Sequence, residues 1–175
     1  MREINLSIVF SCEKKVITAK IIDGKKIALE LKAEISTQVE EIKKKYQVTP
    51  TLAVILVGND SASEVYVSNK EKAAHLVGMN SIQYKLAYNT SESELITKIK
   101  ELNQDKKVHG ILVQLPLPKH IDTKKVIYSI DHHKDVDGFN VINVGKLSVG
   151  EVGGGDGAII PCTPLGCIHL IKSVI

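Results

Sequence analysis

The chain has 175 residues, 43% of them hydrophobic and 25% charged, with a net charge of +3. That length suits one domain, or one domain and part of another, around an aliphatic core, since Trp is absent and Phe occurs twice. The basic residues are mixed with acids, which excludes the positive stripe of a nucleic-acid binder, and no apolar run reaches the roughly 18 residues of a membrane span.

In residues 1–18, Ile4, Leu6, Ile8 and Phe10 alternate as in a strand. The run is too short, and too close to Glu3 and Glu13, for a signal peptide, and an irregular extension fits it equally well. Ile21-Ile22-Asp23-Gly24 leads into a helix whose stripe is Ile27, Leu31, Ile35, Val39, Ile42 and Tyr46. Pro50 ends it, because the residue before proline disfavours helical backbone.

Leu52–Val57 is an apolar run rich in β-branched residues and closed by Gly58-Asn59-Asp60, which predicts a buried strand. Asp60 or Ser61 then caps a helix to about Gly78. On it, Tyr66 and Lys70 stand at i and i+4 and share a face, with Ser63 one turn earlier. A ring, an ammonium and a hydroxyl are thereby expected near the carboxyl end of a strand, where open α/β sheets bind ligands. The alternative is that Tyr66 packs in the core while Lys70 reaches past it to water.

Ser81–Tyr88 predicts a second strand, and Ser91-Glu92-Ser93-Glu94 a capping box opening a helix with Leu95, Ile96, Ile99 and Leu102 inward. Val108–Val113 predicts a third strand, and Asp122 or Thr123 starts a short helix to about Ile130. Strands alternating with helices imply an α/β fold with a mostly parallel sheet flanked by helices.

Past the third strand, Gln114 can aim a carboxamide into the crevice, and Pro116 and Pro118 stop the ladder. Lys134-Asp135-Val136-Asp137-Gly138 sets two carboxylates beside a turn glycine, able to bind a cation, accept from an aminoheterocycle, or simply form an Asx turn. His132-His133 reads as solvated, with no Cys or His at metal-ligand spacing. Gly153-Gly154-Gly155-Asp156-Gly157-Ala158 matches a dinucleotide fingerprint, but Ile159-Ile160-Pro161 follows where a helix should open, so a flexible loop is expected. Thr163 is placed to cap a last helix with Pro164 in first position and Leu165, Ile168 and Ile171 on its apolar side. Because the chain stops at Val174-Ile175 inside that apolar pattern, a C-terminal continuation is expected. Cys12, Cys162 and Cys167 are odd in number at no metal spacing, which suggests reduced thiols in the cytoplasm.

Four stretches in order, Tyr66-Val67-x-x-Lys70, Gly110–Pro118, Lys134–Gly138 and Pro161–Pro164, resemble the bifunctional methylenetetrahydrofolate dehydrogenase/cyclohydrolase family from about Ala19 to Ile175. The resemblance implies a folate-binding catalytic domain over 19–163, the start of an inter-domain helix over 164–175, and an NADP-binding Rossmann domain beyond it; residues 1–18 have no counterpart. It implies Lys70 as the catalytic lysine, Tyr66 stacked on folate, Gln114 supporting the lysine and Asp137 holding the pterin, so that these four form the catalytic group. Substrate contacts would come from Tyr66, Val67, Ser68, Asn69 and Lys70, from Val113, Gln114 and Leu115, and from Asp137. The implied reaction oxidises 5,10-methylenetetrahydrofolate to 5,10-methenyltetrahydrofolate with NADP and hydrolyses the product to 10-formyltetrahydrofolate. The family is cytoplasmic and homodimeric with folate as partner, while charge, apolar runs and residue spacing give no nucleic-acid, membrane or metal partner. Because the family's nucleotide loop has no counterpart in this chain, NADP is not expected to bind here. A folate-binding remnant without catalysis is the competing reading.

Overall fold

The computed structural model describes residues 19–153 and 155–175; the alternating pattern at the N-terminus and Cys12 lie outside them. Six helices and three strands follow in order: α1 Gly24–Tyr46, β1 Thr51–Val57, α2 Ser61–Leu76, β2 Asn80–Leu86, α3 Glu92–Gln104, β3 Gly110–Val113, α4 Thr123–Ser129, α5 Val141–Ser148 and α6 Cys162–Lys172. The sheet runs β2-β1-β3 and both pairings are parallel, with Ile55 opposite Tyr84 on one side and Val113 on the other. A parallel bridge from Ile111 to Asp135 adds a short extended segment outside β3.

The burial of every β1 residue but Leu52, which is partly exposed, follows from cover on both faces. Ala53, Ile55 and Val57 join Ile111 and Val113 beneath Leu95, Ile99 and Leu102 of α3 and Val126 of α4. Val54 and Leu112 turn the other way and meet Val67 of α2. The alternation along β1 therefore sorts α3 and α4 onto one face and α2 onto the other. Asp23, Asp60, Ser91, Asp122 and Asn140 each cap the following helix through the side chain. At Ser91 both bonds of the capping box form.

Several expectations are corrected. The stripe of α1 is buried only at Val39, while Leu31, Ile42 and Tyr46 are exposed. The sheet is already covered by α2, α3 and α4, and α1 approaches them closely at Gly78, where an added Cβ would lie 3.4 Å from Val39 Cγ1. The second strand ends at Leu86, leaving Tyr88 in the loop beyond it. The final helix begins at Cys162, not Pro164: the Pro161 carbonyl accepts from Leu165 N at 3.1 Å, and Thr163 makes no cap. Pro164 is tolerated inside the first turn because its missing N–H would have had no intrahelical partner there. Helix α5 was not expected; its sequence signal is Asn140 ahead of Val141-Ile142-Asn143-Val144.

Gly110 sits where the segment outside β3 crosses closest, and a Cβ there would lie 2.5 Å from Val136 Cγ1. Gly110→Ala is expected to lower stability by about 1–3 kcal/mol through overpacking. Adding Val136→Ala should recover part of the loss, read as a coupling term in urea unfolding of the four proteins. Strict additivity of the two substitutions would show that this contact does not constrain the fold.

Candidate active site

The site is assembled at the carboxyl end of the sheet from α2, the turn after β3, the segment 134–138 and the start of α6. Helix α2 is fixed by its two ends of chemistry. At its start the Asp60 carboxylate accepts from Ser63 N at 2.8 Å, and the Ser63 hydroxyl and amide hold that carboxyl below its usual range. Along its inner side Ser63, Val67 and Ala74 are buried, so Ser63 does not offer its hydroxyl to the open side as the helical spacing suggested. Tyr66 is 64% exposed, with its ring toward solvent, and Lys70 is half-buried between these two sides.

Lys70 Nζ donates to Gln114 Oε1 at 3.1 Å. Gln114 is held from both ends: its backbone N–H donates to Ile55 O at 2.8 Å and its Nε2 donates to Leu115 O at 2.6 Å. With the amide nitrogen committed to a carbonyl, only the oxygen can face the ammonium, and this sets the orientation of the carboxamide. The Leu115–Pro116 peptide is cis.

The two acids of the Lys134–Gly138 stretch have opposite fates. Asp135 is 1% exposed, and its Oδ2 accepts from Asn140 N at 2.7 Å and Asn143 Nδ2 at 3.1 Å. Asn143 Oδ1 in turn accepts from Ile159 N at 3.2 Å, drawing the approach to α6 onto the same centre. Lys134 is structural too, donating to the carbonyls of Leu102 at 3.0 Å and of Asn103 and Asp105 at 2.8 Å, where α3 ends. Asp137 is left half-buried beside Gly138, whose φ of 67° a side chain would resist, and whose missing Cβ makes room for the Ile159 carbonyl and Pro161.

Burial pushes the Asp137 carboxyl above its usual range; the Lys70 ammonium pulls it back and Asp135 pushes it further. Cys162 joins this group, a residue to which sequence reasoning assigned no role although it lies in a noted motif. Its Sγ donates to Val136 O at 3.6 Å, and its thiol is raised by burial first and by Asp137 second, with Lys70 opposing. Lys70, Gln114, Asp137 and Cys162 are thus brought together from four parts of the chain. Leu115 is partly buried beside them, Ser68 is partly buried and Asn69 exposed on α2, while the side chains of Val67 and Val113 are spent in the two cores. The arrangement offers an oriented amine, a carboxylate for a ring amine or amide, and an open aromatic face on one helix.

Residues 22–137 match the family described as tetrahydrofolate dehydrogenase/cyclohydrolase, catalytic domain. The bifunctional protein FolD of Rhodospirillum rubrum is 51% identical over 157 residues, covering 90% of this chain and 53% of that protein. Its counterpart in Acetivibrio thermocellus is 52% identical over 154 residues, covering 88% and 52%. Among solved structures, the Campylobacter jejuni FolD enzyme superposes with a TM-score of 0.83 at 44% identity, over 89% of this chain and 53% of that one. The Trypanosoma brucei enzyme, solved in complex with NADP cofactor and inhibitor, gives 0.83 at 32% identity, over 89% and 52%. The chain spans about half the length of the curated relatives it matches.

A carboxyl raised in the folded state favours folding at low pH, and that contribution is lost as pH rises through its folded value. Asp137→Asn is therefore expected to raise the urea midpoint near neutral pH. The gain should shrink as pH falls toward the ordinary carboxylate range, where the wild-type group is protonated as well. A midpoint lowered at neutral pH would mean that attraction to Lys70 outweighs the cost of burial.

Proposed function

The chain belongs to the tetrahydrofolate dehydrogenase/cyclohydrolase family, and on that premise we propose that it forms the folate-binding, catalytic part of an enzyme with two linked activities. The enzyme oxidises 5,10-methylenetetrahydrofolate to 5,10-methenyltetrahydrofolate with NADP and hydrolyses the product to 10-formyltetrahydrofolate. The observation that carries this reading is the Lys70–Gln114 hydrogen bond of 3.1 Å beside the half-buried Asp137. In this reading residues 19–163 are the folate domain, and α6 leads toward an NADP-binding half.

Each group has work suited to its chemistry. The Asp137 carboxylate accepts from the pterin's amino and ring N–H groups, and its partial burial strengthens those bonds. Tyr66 supplies a ring for the flat heterocycle or the aminobenzoyl group. Ser68, Asn69 and Leu115 border the same opening, and Val67 and Val113 support it from beneath. The methenyl carbon is cationic and open to water. Lys70 is placed to act as the general base that takes the proton as water adds and returns it when the carbinolamine opens. Gln114 accepts one amine hydrogen, which directs the nitrogen lone pair away from the carboxamide and toward substrate.

NADP does not fit the glycine-rich stretch of this chain. Its described residues close as a turn, with Val152 bridged to Ala158, and the next helix starts only at Cys162, so the strand–turn–helix frame for a pyrophosphate is missing there. The roles derived for these residues therefore concern folate binding and hydrolysis.

Lys70→Met keeps the apolar stem and removes the amine. Joined to the second half of a full-length relative, the variant is expected to hydrolyse methenyltetrahydrofolate at least about a hundredfold more slowly, within the range general acid–base help supplies. Hydrolysis at the unsubstituted rate, corrected for the spontaneous reaction, would remove Lys70 from the chemistry.

In the same joined protein, Asp137→Ala should weaken folate binding about tenfold or more, since a hydrogen bond to a charged group is worth roughly 1.5–3 kcal/mol. Unchanged affinity by calorimetry would remove Asp137 from the pterin site.

A further inference from the structure

A second group of ligating side chains lies outside the Lys70 site. Between α4 and the segment 134–138, the turn Asp131-His132-His133 places one carboxylate oxygen and two imidazole nitrogens within 4.8 Å of one another. The turn is firmly built. Asp131 N donates to Asn103 Oδ1 at 3.0 Å, His133 N donates to Asp131 Oδ1 at 2.9 Å, and Lys134 N donates to Asp131 O at 2.8 Å. The two rings lie 3.9 Å apart between centroids, so both present nitrogens to one small volume. A fourth donor arrives from 23 residues further along: Asp156 Oδ1 stands 3.9 Å from His133 Nε2. Consecutive histidines have no metal-ligand spacing by themselves, and only the folded chain adds Asp156.

We propose that Asp131, His132, His133 and Asp156 form a binding site for a divalent transition cation of the zinc class, pinning the turn around Asp156 to the turn after α4. Two imidazoles and two carboxylates suit a cation of borderline softness, whereas magnesium favours six oxygens. Tetrahedral zinc at its usual bond lengths holds ligand atoms about 3.3 Å apart. Separations of 3.7 Å from His132 Nδ1 to Asp131 Oδ1 and 3.9 Å from His133 Nε2 to Asp156 Oδ1 thus need only a small inward shift of exposed or half-exposed side chains. Lys146 already holds Asp156, its Nζ donating to Oδ1 at 3.0 Å and to the backbone carbonyl at 2.6 Å. This contact holds Asp156 beside the histidines, and the Lys146 ammonium must release Oδ1 for the cation to take it. The site binds no part of folate and does not depend on the reading of Lys70.

The test uses the chain free of any histidine tag. Calorimetry with zinc chloride should show one saturable site, unaffected by millimolar magnesium. His133→Ala and Asp156→Ala should each weaken binding at least about tenfold; both residues are exposed, and circular dichroism verifies that the variants fold. Cobalt in place of zinc should give the visible absorption of a four-coordinate nitrogen–oxygen site. Lack of saturable binding, or binding unchanged in both variants, would overturn the proposal. So would a thiolate-to-cobalt charge-transfer band, which would place the ion on cysteine.

Discussion

The buried carboxylate of Asp135 is the interaction on which the catalytic end of this domain depends. A carboxyl group with almost no exposure is tolerable only if hydrogen bonds replace its water. Here the backbone amide of Asn140 and the side-chain amide of Asn143 do so. Each partner has a second attachment: Asn140 Nδ2 donates to Ile130 O at 2.9 Å, and Asn143 Nδ2 also reaches His132 O at 2.9 Å. The network ties the end of α4, the segment outside β3, the start of α5 and the approach to α6 into one unit. Removing the carboxylate would orphan two buried donors at once, the Asn140 amide and one Asn143 N–H, which costs more than the net worth of any single bond.

Two residues on, Asp137 has the same side chain and the opposite task. Only Asp135 is extended, in its bridge to Ile111, and Val136 and Asp137 already lie in a turn closed by Gly138 N donating to Asp135 O at 3.2 Å, with Gly138 in the left-handed region. Asp135 accordingly points inward and Asp137 toward Lys70. Asp135 holds Asp137 in place while raising the cost of its charge, since Asp135 adds to the upward push on the Asp137 carboxyl. Such strain at a binding group is expected where stability and ligand recognition compete.

Much of this was legible in the sequence because local signals and burial agreed. The capping box at Ser91 and the Asp60 cap rest on contacts within a few residues, the β1 run is apolar throughout, and each formed where expected. The Tyr66–Lys70 spacing fits the exposed Tyr66 and the half-buried Lys70 on α2, but it could not say that Ser63 would turn under the helix with Val67. The division of labour between Asp135 and Asp137 was illegible, because it depends on Asn140 and Asn143 in a helix whose cap was overlooked. The apolar stripe of α1 was read correctly as periodicity, but only Val39 of it is buried, and the apolar side of α6 is likewise exposed. Periodicity reports which face would be buried, and the partner for that face must come from elsewhere in the molecule.

The parts of the site also differ in how firmly they are held. Lys70 sits on a capped helix packed by Val67 against the sheet, and Gln114 is anchored to β1 by its own backbone. Asp137 is on irregular chain and has no ladder of its own, so its position relative to Lys70 is inherited from Asp135 and from the close approach of Gly138 to Ile159 and Pro161. The acid and the amine are therefore coupled through a polar network, whereas the amine and the carboxamide are coupled through the sheet. Damage to the network can separate Asp137 from Lys70 while the sheet and the Lys70–Gln114 pair persist. In a folate enzyme that difference would appear as lost pterin affinity with the proton-transfer pair intact.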